Sequence, residues 1–279
     1  MRYSNYHTHS LFCDGSETPE FYIQEAIKQN MSAIGFSSHA PMPFDNNYAI
    51  KDYMLEEYKT EIKSLQQRHA GEISVFLALE VDYIPGVIGQ FNLLQKKHGL
   101  DYIIGSVHLV KEKQSGQLWF IDGPDTNYTE GLLNIFHNNI QFAVQKYYEQ
   151  VSEMISIEKP TIVGHIDKVK MNNKGRFFSE DEQWYKDLLL QTLKITAKAG
   201  SIIEVNTRGI YKKKSPSLYP GVAALEEIYK LKIPITINSD AHKPNELTLY
   251  FPETISILKD IGFKKIKYFT GQDWKDQLI

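Results

Sequence analysis

The stretches SAIGFSS, ISVFLALE, LDYIIGSV, PTIVGH, GSIIEVN and IPITINS are apolar almost throughout, and most are followed by a longer segment with helical periodicity. A strand with one wet face alternates apolar and polar residues. One that is apolar on both faces must be covered on both, which is the condition of a parallel sheet flanked by helices. SNYH and IKYF add a first and a last, weaker strand. TPEFYIQEAIKQN opens with Thr18 as N-cap and Pro19 at the first helical position, with Phe21, Ile23, Ala26 and Ile27 along one side. KDYMLEEYKTEIKSLQQRH, NIQFAVQKYYEQVSEMISI and DEQWYKDLLLQTLKITAKAG are further helices, and Gly200 ends the last where a left-handed cap belongs. Seven or eight β-then-α units without a Pro-, Gly- and Ser-rich linker point to one closed barrel. The alternative, a doubly wound open sheet, lacks its nucleotide-binding signatures: no G-x-G-x-x-G follows the first strand and no G-x-x-x-x-G-K-[ST] occurs. Two long non-helical excursions, SHAPMPFDNNYAI and HLVKEKQSGQLWFIDGPDTNYTEG, follow strands and would border the mouth of such a barrel.

Several function classes are disfavoured at once. A formal charge of −3 gives no electrostatic reason to expect nucleic acid, and the lysines of GIYKKKSP read as a solvated loop. The single cysteine, Cys13, precludes an internal disulfide and a thiolate-rich zinc or iron–sulfur centre. No apolar run approaches the ~20 residues of a membrane span and no apolar leader stands at the N-terminus, so the cytoplasm is the expected location. No helix carries a stripe that barrel packing would leave unused, so the sequence does not fix an oligomeric state.

Metal-capable side chains gather at the ends of the strands. His7 and His9 close the first, His39 the second, Glu80 and Asp82 the third, His108 the fourth, His165 and Asp167 the fifth, and Asp240 and His242 the seventh, with Asp14 just past the first. Parallel strands deliver their C-terminal ends to one rim, so His7 and His242 become neighbours. Six of the chain's nine histidines belong to this set; His69, His98 and His137 fall in or beside helices and read as surface or packing residues. Burying that many ionisable groups is costly without compensation, and metal ions compensate them most economically. Side chains two apart on a strand face the same way, which lets His7 and His9, or Asp240 and His242, grip one ion. A histidine–carboxylate set suits zinc, iron or manganese. So many ligands exceed the needs of one four-coordinate ion and imply two or three that share a carboxylate.

Taken in order, H-x-H at His7 and His9, DG at Asp14 and Gly15, SHAP with His39, LEVDYI with Glu80, SVH with His108, GHID with His165 and SDAH with Asp240 and His242 resemble the PHP (polymerase and histidinol phosphatase) family of metal-dependent phosphoesterases. LEVDYI and the insertion after SVH reaching WFIDG are most similar to the stand-alone histidinol-phosphate phosphatases of histidine biosynthesis. The resemblance implies a single PHP-type domain over residues 1–279, folded as a distorted TIM-like (β/α)7 barrel with the metal site at the C-terminal ends of its strands. It also implies a trinuclear centre. One ion is held by His7, His9, Glu80 and Asp240, a second by His108 and His165 with Glu80 as bridge, and a third by Asp14, His39 and His242. Many such relatives carry histidine where this chain has Asp14, a harder and negatively charged ligand.

The expected reaction is hydrolysis of L-histidinol phosphate to L-histidinol and phosphate. Two ions bridged by Glu80 lower the pKa of a water from ~16 towards ~7 and so supply a hydroxide, without a phosphoenzyme. Cys13 packs or lines the site rather than attacking. Asp240 or His242 could return a proton to the leaving alcohol. Arg208, just past a strand end, and Arg176 are the candidate phosphate-binding cations. Asp45, Asp82 and Asp122 could receive the substrate amine and imidazole, and Phe44, Tyr48, Tyr83 or Trp119 could stack on the ring, although packing suits Tyr83 and Trp119 better. The rival readings are a phosphatase or phosphodiesterase on the same scaffold acting on another small phosphoester or a nucleic acid end, and a non-enzymatic metal-binding accessory domain.

Overall fold

The computed structural model describes residues 2–279. Seven short strands, β1 (Ser4–Asn5), β2 (Ala33–Phe36), β3 (Ser74–Asp82), β4 (Tyr102–Ser106), β7 (Ile162–Val163), β8 (Ile202–Asn206) and β9 (Ile235–Asn238), form one sheet in that order. Every adjacent pair is parallel. The sheet curls into a nearly closed barrel, and its distortion lies at one seam. β1 ladders with β2, but no strand ladder joins it to β9. The seam is instead stitched by a parallel bridge between Thr8 and Ala241 and by side-chain amides: Tyr6 N donates to Asn238 Oδ1 at 2.8 Å, and Ser239 N to Asn5 Oδ1 at 3.2 Å.

The helices α1 (Pro19–Lys28), α2 (Leu55–Arg68), α3 (Phe91–His98), α5 (Ile140–Glu158), α6 (Gln183–Ala199), α8 (Val222–Lys230) and α9 (Phe251–Ile261) cover the outside. α1 begins at Pro19 as expected, but it buries Tyr22, Ile23 and Ala26 and leaves Phe21 56% exposed. The apolar stripe therefore lies one residue round from the expected one, with Tyr22 and Ala26 stacked four apart. Gly200 caps α6 in the left-handed conformation. The excursion after β4 is not open loop. It folds into a hairpin of β5 (Leu109–Lys111) and β6 (Leu118–Phe120), then into α4 (Asp125–Asn134).

IKYF is a strand, but not an eighth barrel strand. It lies within β10 (Lys265–Phe269), which pairs antiparallel with β11 (Trp274–Leu278). The tight Thr270–Asp273 turn folds the chain straight back, so no crossover helix carries it to the sheet. The hairpin plugs the N-terminal floor of the barrel. Phe269 joins Tyr6, Phe76, Tyr102, Ile104 and Ile202 in an inner apolar layer, Trp274 stands edge-on to Tyr6 at 5.0 Å, and Phe269 N donates to the Tyr6 hydroxyl at 2.8 Å. With the floor sealed by aromatic rings, the polar residues inside the barrel are confined to the opposite rim. No helix among the described residues is long and apolar enough to cross a membrane.

Candidate metal centre

The nine strand-end residues expected as ligands do meet. Glu80, at the C-terminal end of β3 and 1% exposed, is their centre. Its Oε1 lies 2.9 Å from His165 Nε2 and 3.6 Å from His108 Nε2 and accepts from Ser106 Oγ at 2.6 Å. Its Oε2 lies 3.0 Å from His39 Nδ1, 3.2 Å from His7 Nε2 and 3.6 Å from His9 Nε2. Asp240 Oδ1 approaches His9 Nε2 at 3.3 Å and His7 Nε2 at 3.9 Å. Asp14 faces His242 Nε2 at 3.2 Å, His9 Nδ1 at 3.7 Å and His39 Nε2 at 3.9 Å.

Local sequence explains how these side chains are aimed. Gly15 lets the loop after His9 fold back on itself, since a Cβ there would stand 2.5 Å from the His9 carbonyl and Ser10 N. Gly164 places His165 beside β4, because a Cβ would meet Ser106 Oγ at 2.5 Å. Asp240 takes a left-handed backbone, φ 53°, a strained conformation that aspartate tolerates better than most residues. Behind the rim, His7 Nδ1 pairs with Glu204 Oε1 at 2.6 Å, His108 Nδ1 with Asp82 Oδ2 at 3.2 Å, and His242 Nδ1 with the Asp240 carbonyl at 3.0 Å. Each contact commits one ring nitrogen and leaves the other, Nε2, for the site.

The electrostatics are those of an overloaded cluster. Burial opposes charge on Glu80 and Asp240, yet His7, His39 and His108 hold Glu80, and His7 with Arg208 holds Asp240, well below the usual carboxylate range. Burial alone would lower His7, but Glu204, Glu80 and Asp240 raise it well above an ordinary histidine; burial, His242 and His39 push His9 the other way. Burial pushes the Cys13 thiol up to about 12, in keeping with a lining role; its Sγ is 3.5 Å from His9 Nδ1.

The donor set fits cations. His7 Nε2 and His9 Nε2 are buried and lack a hydrogen-bond partner, although both aim into the cluster. His108 Nε2 and His165 Nε2 stand 3.2 Å apart, close to the roughly 3.3 Å between two nitrogens on one tetrahedral zinc. Donor atoms of His9, Asp14, His39 and His242, of His7, His9 and Asp240, of His7, Glu80 and His165, and of His39, Glu80 and His108 lie within 4.8 Å of one another in each group. These overlapping groups suit two or three divalent ions, with Glu80, His7, His9 and His39 each belonging to two.

The groups open into a cavity of about 450 Å³. Phe44, Asp45 and Tyr48 line it from the excursion after β2, and Asp122 from the one after β4, as expected. Arg208, which starts the short helix α7 (Arg208–Tyr211), reaches the same space and donates to the Asp240 carbonyl at 2.7 Å. The other expected contacts are placed elsewhere. Arg176 forks onto Asp125 at 2.6 and 3.0 Å, tying a loop to α4, and does not line the cavity. Asp82 is spent on His108, whose backbone N it also accepts at 2.9 Å. Tyr83 donates to Glu153 at 2.9 Å, and Trp119 is fully buried with Nε1 on the Tyr128 carbonyl at 2.9 Å. Neither aromatic lines the mouth.

Three cavity or supporting residues escaped the sequence reading. Lys168, 3% exposed, lines the cavity and pairs with Asp122 at 3.0 Å. Lys214, from the run read as a solvated loop, lines it too, while Lys212 pairs with Glu246. Glu204 is fully buried in β8. A lone carboxylate inside the apolar run IIEVN was the available signal for Glu204; nothing comparable marks the lysines.

Comparison with known proteins agrees with this geometry. The PHP domain family matches residues 5–208. The histidinol-phosphatase of Bacillus subtilis is 29% identical over 256 residues, covering 86% of this chain and 94% of that protein. A "probable histidinol-phosphatase" of Deinococcus radiodurans is 28% identical over 274 residues, covering 94% and 95%. The crystal structure of histidinol phosphate phosphatase from Lactococcus lactis, in complex with zinc, L-histidinol and phosphate, superposes with a TM-score of 0.72 at 21% identity, covering 98% of this chain and 99% of that one.

Proposed function

We propose that this chain, which belongs to the PHP domain family, is a metal-dependent phosphomonoesterase that hydrolyses L-histidinol phosphate to L-histidinol and phosphate. The observation that carries the reading is the convergence on Glu80 of five imidazoles from four strand ends, beside a cavity of small-molecule size. The names of the relatives from B. subtilis and D. radiodurans, and the ligands of the L. lactis enzyme, point to this substrate. A biosynthetic intermediate of this kind places the work in the cytoplasm. The reading takes the whole chain as one domain, since the C-terminal hairpin seals the barrel floor on Tyr6.

His7, His9, Glu80 and Asp240 would hold one ion, Glu80, His108 and His165 a second, and Asp14, His39 and His242 a third. Bound zinc, iron or manganese would supply an activated water and offset charge on the phosphoryl oxygens. The chain's own residues do the rest. Glu80 sets the spacing of the ligand groups because its two oxygens face different histidines. Arg208, fixed by the Asp240 carbonyl and Tyr211, presents its guanidinium to the phosphate. His242 and Asp240, which line the cavity, would orient a water that returns a proton to the leaving alcohol, since both side chains are themselves committed as ligands. Phe44 and Tyr48 offer ring faces and Asp45 and Asp122 negative charge for the imidazole and amine.

The test is to assay one metal-loaded preparation on L-histidinol phosphate, p-nitrophenyl phosphate and a single-stranded oligonucleotide. The expected result is a kcat/KM at least 100-fold higher on L-histidinol phosphate, about 2.7 kcal/mol of discrimination. Comparable rates on all three would return the assignment to a general phosphoesterase.

A further inference from the structure

Lys168 and Asp122 form an ion pair in the cavity wall whose placement is unusual. Lys168 stands beyond His165 in a turn after β7, 3% exposed, and its Nζ sits 3.0 Å from Asp122 Oδ2. Asp122 lies beyond β6, its side chain 28% exposed, and its other oxygen accepts from Gly123 N at 2.6 Å. Both residues line the cavity shared with Glu80, His108, Asp240 and Arg208. A buried ammonium demands a counter-charge, and Asp122 supplies it. A structural pair, however, normally sits behind a wall, as Lys170 does with Asp167, 2% and 0% exposed, and neither of those residues lines the cavity. Lys168 faces the ligand space, with Arg208 and Lys214 as the other cations there.

Resting on the function proposed above, we infer that the Lys168–Asp122 pair is a partner-exchange device for a ligand that carries phosphate at one end and an amine at the other. A phosphate dianion entering beside Arg208 offers Lys168 more negative charge than one carboxylate does. Lys168 turns to it and Asp122 is released, partly buried and unpaired, until the amine of the same ligand replaces the ammonium it lost. A phosphate ester without an amine takes Lys168 and leaves Asp122 without a partner. The pair therefore selects for amino-alcohol phosphates, and it couples the phosphate and amine halves of the product state.

The experiment is calorimetric titration of the metal-loaded protein with inorganic phosphate and L-histidinol, singly and each in the presence of the other, in wild type, Asp122→Asn and Lys168→Gln. The expected wild-type result is that each ligand tightens the other about tenfold. Asp122→Asn should bind phosphate severalfold more tightly than wild type, since Lys168 no longer has to leave a carboxylate, and should lose the coupling. Lys168→Gln should weaken phosphate and lose the coupling as well. A structural pair predicts the opposite for Asp122→Asn, weaker phosphate binding. That outcome, or coupling that survives the substitution, overturns the proposal. If phosphate tightens in Asp122→Asn but L-histidinol fails to bind wild type, the substrate reading falls while the exchange of Lys168 stands.

Discussion

Glu204 gives the sharpest test of how the rim is held. Its Oε1 accepts from His7 Nδ1 at 2.6 Å and Asn238 Nδ2 at 3.0 Å; its Oε2 accepts from His165 N at 2.9 Å and Asn206 Nδ2 at 3.0 Å. Four donors converge on two oxygens in a fully buried side chain. Glu204→Gln keeps the shape and replaces one oxygen by an NH2. The asparagines cannot flip to accommodate it, because Asn206 Oδ1 already accepts from Arg208 N at 2.9 Å and Asn238 Oδ1 from Tyr6 N at 2.8 Å. If the NH2 takes the Oε2 position it confronts the backbone N–H of His165 and the Asn206 amide. The His165 N–H and the new NH2 then go unsatisfied, at about 1–3 kcal/mol each, while the Asn206 amide keeps Asp240 Oδ2 at 3.4 Å. At ~2–4 °C per kcal/mol for a chain of this size, the melting temperature should fall by on the order of 5–20 °C. If the NH2 takes the Oε1 position, His7 can accept from it only by moving its own proton to Nε2, the nitrogen that faces Glu80 at 3.2 Å. The fold is then damaged less, but His7 ceases to be a metal ligand and cation affinity should fall ~10–100-fold or more. Differential scanning calorimetry of metal-stripped protein and zinc titration against a chelator separate the two routes. A variant that melts within about 2 °C of wild type and binds zinc equally would refute the positioning role.

Other substitutions test neighbouring parts of the site. Glu80→Gln should retain the circular dichroism of wild type and lose turnover by about 10³-fold or more, because the group shared between ligand sets loses its charge; activity within tenfold of wild type would refute this. Arg208→Ala should raise KM at least tenfold with kcat little changed if the guanidinium binds ground and transition states alike, and a fall in kcat alone would contradict that. Arg176→Ala should leave KM as it is, because its guanidinium is held outside the cavity by Asp125 and the Asn172 carbonyl; a raised KM would restore it to the phosphate site. Burial would push the Asp122 carboxyl up, but Lys168, with His108 and Lys214, holds it well below the usual range. A depressed carboxyl contributes stability above its unfolded pKa of ~3.9 and loses it as pH falls towards the folded value. The gap in melting temperature between wild type and Asp122→Asn should therefore be widest near neutrality and narrow below pH ~4; a constant gap would refute the pairing.

The parts legible in the sequence were those fixed by register. His7 and His9, or Asp240 and His242, sit where a parallel strand must end, and parallel strands end together, so the cluster followed from position alone. Arg176 satisfied the same positional rule and failed. Between His165 and Arg176 the chain spends residues 168–170 in a tight turn and then runs outward, where Asp125 captures the guanidinium. The rule holds for the strand end and decays within a few residues of it. Lys168 and Lys214 were illegible for the opposite reason. Lysine is almost always exposed, and only the three-dimensional cavity shows that these two are not. IKYF was read correctly as a strand, but pairing partner and direction depend on the turn after it, and Thr270–Asp273 sends it into a hairpin.

The charges at the rim also bear on Asp14, a carboxylate at the position where the family resemblance implies a histidine in many relatives. Asp14, Asp45, Glu80, Asp82, Asp122, Glu204 and Asp240 bring seven carboxylates to the centre, its supports and the cavity, against the cations Lys168, Arg208 and Lys214. That leaves a deficit of four charges before any histidine protonates. Two dications would only cancel it and leave nothing to receive a phosphate dianion. Three dications would leave a surplus of two, which a phosphate dianion neutralises. A histidine in place of Asp14 would lessen the demand for the third ion, and Asp14 increases it. The aspartate that departs from the family pattern is therefore, on charge, an argument for a filled third site.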